Sequence, residues 1–336
     1  MKTLTTVICS LTFLFTGAAC VSGGGGGSGS PNEDVGASTN DVVSVDSSAP
    51  TTDLGPAEDT APTEPESAPD PIKAYSGGTC PELKPGPNTL MSGGMERNFY
   101  LHVPNEPTGA GVTFLWHGFG DSVQNFSAGF NANQMSNEAH MIVVTPEPAI
   151  AVPMVGIDSW SFISLGDTEA DLIFFDDMLA CLEDSFDINE KTVYTMGFSA
   201  GGLFSSMLLL ERGRHITAGV VFSGGTDAAN PDLVAIPYQN PGHKMPVLIA
   251  HGGQSDVWGG GPILVEFNTG SIDLANQLSS DGHPVILCDH GGGHTVPAGG
   301  VNWAWEFIRT SYWSEGESQW IGHNGEPFPA YCTFPQ

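Results

Sequence analysis

The side chains able to do nucleophilic chemistry stand in a telling order along this sequence. Ser199 lies in Gly197-Phe198-Ser199-Ala200-Gly201-Gly202, directly after the apolar run Val193-Tyr194-Thr195-Met196 and ahead of a helical pattern. In a strand, tight turn and helix of that kind the serine is held in a strained conformation with its Oγ projecting, and flanking glycines let strand and helix approach without Cβ clashes. A serine hydroxyl is a poor nucleophile at neutral pH, so it needs a histidine base and an acid that orients the base. Val247-Leu248-Ile249-Ala250 ends in His251-Gly252-Gly253-Gln254-Ser255-Asp256, which puts Asp256 in a loop after a strand. Val285-Ile286-Leu287-Cys288 ends near Gly291-Gly292-Gly293-His294, which puts His294 on a glycine-rich loop. Acid and base thus both arrive after the nucleophile, each in a loop at the end of a strand.

Other residues compete for these roles. His251, His283 and His290 are alternative bases, and Asp227 and Asp289 also follow strand candidates. Chain order and loop position favour His294 and Asp256, since Asp289 is too near the histidine loop and Asp227 comes one strand early. A tetrahedral intermediate needs two N–H donors aimed at its oxyanion. Ala200, after the serine, is one candidate, and Phe119, in the run Trp116-His117-Gly118-Phe119-Gly120, is the other. Phe119, Trp160 and Trp258 are the aromatic candidates for binding substrate. His290 and His294 are four apart but separated by glycines, with no further ligand cluster, so no metal and no cofactor is expected.

These side chains need a scaffold, and from about residue 80 short apolar runs alternate with amphipathic stretches, as in a mostly parallel sheet flanked by helices. Strands are predicted at Phe99–Val103, Val112–Trp116, Met141–Val144, Val193–Met196, Gly219–Phe222, Val247–Ala250 and Val285–Leu287. Helices are predicted at Ala170–Asp184, Ala200–Glu211, Asp273–Ser280 and Asn302–Ser311. No repeat of solenoid or propeller period is present. One doubly wound α/β domain over residues 80–336 is expected, carried on a disordered stalk.

The first part of the chain reads differently. Residues 1–19 run from Lys2 through Leu11-Thr12-Phe13-Leu14-Phe15 to Gly17-Ala18-Ala19, the build of a secretory signal peptide. Gly17-Ala18-Ala19-Cys20 resembles a bacterial lipobox, which makes Cys20 the expected lipidation site and lipid the expected route to a membrane. Residues 20–75 are rich in Gly, Pro, Ser, Thr and acid, too polar to bury a core, and read as a flexible linker. An outer-membrane or cell-surface lipoprotein, or otherwise a secreted protein, follows from this reading. In such a compartment Cys80, Cys181, Cys288 and Cys332 are disulfide candidates; of three possible pairings we name Cys80–Cys181 with Cys288–Cys332. With 9 Lys and Arg against 38 Asp and Glu, the net charge of −29 repels polyanions, so nucleic acid is not a partner.

Four segments together resemble the α/β-hydrolase esterases of the polyhydroxybutyrate depolymerase-like, feruloyl and acetylxylan branch. They are Trp116-His117-Gly118-Phe119-Gly120-Asp121-Ser122, Gly197 to Gly202, His251-Gly252 to Asp256, and Gly291-Gly292-Gly293-His294-Thr295-Val296-Pro297. The resemblance implies an exported serine esterase with Ser199 as nucleophile, Asp256 as acid, His294 as base and the Phe119 and Ala200 amides as oxyanion donors. Its implied substrates are extracellular, polymeric included: feruloyl or acetyl esters of polysaccharide, or polyhydroxyalkanoate-type polyester. Relatives often carry cysteine or tyrosine in place of Phe119 and tryptophan in place of Val296, and both departures fall on the substrate pocket. An acyltransferase or peptidase on the same fold, or a non-catalytic surface-anchored binding lipoprotein, are the alternatives.

Overall fold

Gly93 and Gly94, both at positive φ, make a two-residue turn that closes a hairpin, because mirror-image turns match the right-handed twist of paired strands. The hairpin joins β1 (Gly86–Ser92) to β2 (Met95–His102). It is seen in a computed structural model that describes residues 68–148, 150–152, 157–164, 169–313, 320 and 328–334. The signal segment, Cys20 and the linker up to residue 67 lie outside the described residues.

Around the hairpin the chain builds a nine-stranded sheet in the order β1-β2-β4-β3-β7-β8-β9-β12-β13. Its central strands are β3 (Gly111–Trp116), β4 (Met141–Pro146), β7 (Val193–Phe198), β8 (Ala218–Phe222), β9 (Val247–His251) and β12 (Val285–Asp289). They pair in parallel, while β2 and the short β13 (Cys332–Thr333) close the two sides antiparallel. Every residue of β3, β4, β8 and β9 is buried, as expected of strands covered on both faces. Two short pairs stand apart: β5 (Ile150–Val152) with β6 (Ile157–Ser159), and β10 (Val257–Trp258) with β11 (Val265–Glu266).

Helices cover the sheet as the alternating pattern requires. They are α1 (Val123–Gly129), α2 (Ala132–Glu138), α3 (Ser161–Ser164), α4 (Glu169–Phe186), α5 (Ala200–Glu211), α6 (Phe267–Ser280) and α7 (Gly300–Thr310). Two cores result, one running through Phe114, Phe175, Leu208 and Leu274, the other through Phe130, Phe222, Trp305 and Phe307. Arg97 on β2 is fully buried against Asp171 of α4 at 2.7 Å and over the Phe174 ring at 4.0 Å. Asp171 also accepts from the backbone N–H and hydroxyl of Ser161, so each charge is paired and hydrogen-bonded.

The linker reading reached too far. Asp70 pairs with Arg214, Lys73 with Asp176, and Ser76 donates twice to Asp177, so these residues are fastened to α4 and to the turn after α5. Three side-chain attachments within seven residues overcome the polar composition. Both disulfides form as named, Cys80–Cys181 tying this segment to α4 and Cys288–Cys332 tying β13 to β12.

Candidate active site

The chain steps from β3 outward to β4 and then back to β7 on the other side of β3. The strand order therefore reverses between β3 and β7, where the carboxyl ends of an open sheet leave a crevice. The β3 loop carries Phe119 and the β7 loop carries Ser199. Both arrive at one spot because Trp116 is paired with Gly197 across the two strands.

Ser199 has φ 59° and ψ −123°, a conformation that costs a non-glycine residue on the order of 1–3 kcal/mol. Its surroundings enforce it. A Cβ on Gly201 would lie 1.8 Å from the Trp116 carbonyl oxygen, and one on Gly197 would lie 2.1 Å from that of Gly201. Only glycine fits at either position, and this close packing fixes where the serine must turn. The Ser199 backbone N–H donates to Phe222 at 3.0 Å, locking the turn to β8.

His294 Nε2 lies 2.9 Å from Ser199 Oγ, and its Nδ1 lies 2.7 Å from Asp256 Oδ1. The structure thus brings together the three residues the sequence singled out. Asp256 is fully buried; its other oxygen accepts from the Ser223 hydroxyl and the Gly252 N–H, both at 2.8 Å. With Oδ2 so occupied, Oδ1 is left to fix His294 with Nδ1 protonated and Nε2 free to accept the serine proton.

The acid and histidine loops are zipped backbone to backbone. His290 N–H donates to His251 at 3.0 Å and Gly293 N–H to Gly252 at 2.9 Å. A Cβ on Gly252 would meet the Gly293 carbonyl at 1.9 Å, so the approach again depends on glycine. The His294 ring is stacked between Phe267, with centroids 4.4 Å apart, and Phe198, at 4.9 Å.

Ala200 is the first residue of α5, so its N–H has no acceptor within the helix and is free for a ligand oxygen. Gly118 is packed on Ser199, since a Cβ there would stand 3.3 Å from the serine Cβ, and the next peptide is that of Phe119. The loop is braced from behind: His117 Nδ1 donates to Gly118 O at 2.9 Å, and the Trp160 indole donates to His117 O at 3.0 Å. Burial lowers the His117 pKa, which keeps that ring neutral in its bracing role.

Trp160 corrects one expectation. It is 1% exposed, packed against Trp116 and Phe204, and so supports the loop instead of facing a ligand. Trp258 is 42% exposed and meets the Phe119 ring edge-on with centroids 5.6 Å apart, so these two form an aromatic rim. The rival candidates take other places. His251 is buried and accepts from Gly253 N–H, His283 is bound to Met245 O, Asp227 opens a turn beyond β8, and Asp289 caps Gly291 on the surface. No group of three or more potential metal ligands occurs among the described residues.

Sequence reasoning missed Ser223, Phe198, Phe267 and His117. A signal existed for Ser223, which begins Ser223-Gly224-Gly225 after a buried strand, and for Phe198, which is inside the serine motif. Phe267 had none, because only the fold brings the start of α6 to the histidine.

The chain has the α/β-hydrolase fold. It superposes on the solved structure of native pOPH with a TM-score of 0.60 at 19% identity, covering 76% of this chain and 97% of that one. Within that class its curated relatives are ester or polymer hydrolases by name, in keeping with the resemblance read from the motifs. Feruloyl esterase D of Neurospora crassa is 28% identical over 155 residues, 44% of this chain and 52% of that protein, so the match spans about half of the relative's length. Oxidized polyvinyl alcohol hydrolase of a Sphingopyxis species is 23% identical over 286 residues, covering 67% of this chain and 78% of that protein. No family model matches the chain.

Proposed function

We propose that this protein is an exported serine carboxylic-ester hydrolase, and that Ser199, His294 and Asp256 carry its chemistry. The observation that carries the reading is the chain of contacts from Ser199 Oγ through His294 to a buried, fully hydrogen-bonded Asp256. In the forward step Oγ attacks the ester carbonyl carbon while Nε2 of His294 takes its proton. The carbonyl oxygen becomes an oxyanion held by the Phe119 and Ala200 amides. The intermediate collapses, the alcohol leaves with the proton from His294, and the acyl group stays on Ser199. Water, deprotonated by His294, then releases the acid. Asp256 holds the imidazole in one tautomer and stabilises the imidazolium throughout.

The aromatic rim of Phe119 and Trp258 favours esters whose acyl group is flat or apolar, in keeping with a feruloyl esterase among the relatives. Two disulfides suit an oxidising compartment, and the motif at Cys20 suits lipidation there, with the linker as spacer. No described helix is long and apolar enough to cross a membrane. The test is labelling with a fluorophosphonate probe together with hydrolysis of feruloyl, acetylxylan, short aryl and polyester substrates. Ser199→Ala should abolish both labelling and turnover; a Ser199→Ala protein that hydrolyses p-nitrophenyl acetate at the parent rate refutes the assignment. Intact mass of the mature protein made in bacteria tests lipidation, and an unmodified N-terminus at another residue refutes it.

A further inference from the structure

A cleft of about 430 Å³ lies outside the Ser199 site, between α1 and α2 on one side and the outer face of β2 on the other. That is the size of a small-ligand site. Its lining includes Tyr100 and His102, alternate residues of β2 whose rings lie 4.9 Å apart. Facing them are the carboxamides of Gln124, Asn131, Asn133 and Gln134, each on an exposed position of the two helices or the turn between them. No Asp, Glu, Lys or Arg lines the cleft, in a chain whose net charge is −29. The His102 ring is bonded to the Asn133 side chain, and its buried Nε2 makes no hydrogen bond of good geometry among the described residues. Burial also lowers the pKa of that ring, so it meets a ligand neutral.

This chemistry selects its ligand. The absence of formal charge argues against an anion, a cation or a charged peptide. Gln134 is already committed as a donor to Glu138 at 2.8 Å, and Asn133 is bonded to the His102 ring. Aromatic rings beside Gln124 and Asn131, amides that offer both donors and an acceptor, match a molecule with apolar C–H faces and many hydroxyls. We infer that the α1–α2 cleft is a binding site for neutral polysaccharide, holding one or two sugar rings against Tyr100 while the carboxamides and His102 Nε2 bond their hydroxyls. The site stands independently of the ester-hydrolase reading, because none of Ser199, Asp256, His294, Phe119 or Trp258 lines it. It does bear on that reading: α1 begins four residues after Phe119, so a glycan held here is anchored to the element that continues the proposed oxyanion loop.

The test is isothermal titration calorimetry of the intact protein with xylohexaose and with cellohexaose, neither of which contains an ester. Saturable binding to at least one is expected. Tyr100→Ala should weaken it by about tenfold and Gln124→Ala severalfold, with p-nitrophenyl acetate hydrolysis unchanged in both. Gln124 is exposed, so its variant keeps the test sharp should Tyr100→Ala fold poorly. No saturable heat with either saccharide, or binding that neither variant weakens, overturns the proposal. Binding that responds to the variants in a protein inactive on every ester would sustain this site while refuting the ester reading.

Discussion

The hydroxyl of Ser223 donates to Oδ2 of Asp256 at 2.8 Å, and Ser223 itself sits at a positive φ of 46°. A non-glycine residue held in that region at the end of β8 costs on the order of 1–3 kcal/mol, and here it carries the hydroxyl that meets the acid. Hydrogen bonds to charged groups contribute about 1.5–3 kcal/mol, and loss of this one leaves a buried carboxylate lone pair unmet. Ser223→Ala should therefore lower kcat of the ester-cleaving reaction by about tenfold or more with little change in KM, since it disturbs Asp256 and not substrate. Equal kcat in the two proteins would show that Gly252 N–H alone suffices to place the acid.

The stacking of His294 between Phe198 and Phe267 leads to a second expectation. Ring pairs of this kind contribute about 0.5–1.5 kcal/mol beyond their buried area. Phe267→Leu keeps apolar volume but removes the face, so kcat should fall by about two- to tenfold. A thermal midpoint measured alongside separates loosening of the ring from loss of the fold.

Gly201→Ala should be far more severe. The added methyl would stand 1.8 Å from the Trp116 carbonyl oxygen, and neither backbone can yield without moving the Ser199 turn. Soluble yield and circular dichroism should reveal a misfolded or strongly destabilised protein, and a stable, active Gly201→Ala would contradict the packing described.

Stability should fall on acidification. Burial pushes the pKa of both His243 and His283 down from 6.5 to about 4, with a backbone carbonyl, Ile216 or Met245 respectively, opposing it. Both are therefore neutral in the folded protein at a pH where the unfolded chain is already protonated. The unfolded state binds more protons as pH drops through 6.5, and stability declines until the folded pKa near 4 is reached. Each depressed histidine corresponds to about 3 kcal/mol at the acid end of that window. Urea midpoints between pH 7 and pH 4 should fall steadily, and His243→Gln should flatten the slope; a midpoint independent of pH would contradict the burial of these rings.

Reduction should act on the two disulfides unequally in function. They close loops of 101 and 44 residues, which chain entropy places at about 4–5 kcal/mol each. Breaking Cys288–Cys332 also frees β13 from the strand that leads into the His294 loop. Paired serine variants of each bridge should both lower the thermal midpoint, and the Cys288/Cys332 pair should lose more activity at 25 °C.

Much of this architecture was legible along the chain. The buried parallel strands declare themselves as unbroken apolar runs, and Ser199, Asp256 and His294 are marked by glycines that a close-packed turn requires. What stayed hidden has a common cause. The helices α1 and α2 carry Asn, Gln and Ser with few apolar positions, so no stripe reveals them. Of the hairpin only the Phe99–Val103 part of β2 is read from the sequence; although Gly93-Gly94 signals the turn, the alternation on the half-exposed β1 is diluted by Pro87, Asn88 and Thr89. Trp160 shows the limit most plainly: a tryptophan's composition is the same whether it faces a ligand or supports a loop, and only its neighbours decide.

The attachment of Asp70 to Arg214 also has a practical meaning. Arg214 lies in the turn just before β8 begins, at the amino-terminal edge of the sheet, whereas Ser199, Asp256 and His294 follow the opposite ends of β7, β9 and β12. The chain enters the hydrolase domain at the pole remote from the crevice. Immobilising the protein on a resin or fusing a carrier ahead of Asp70 would thus load its base and leave the mouth of the crevice unobstructed.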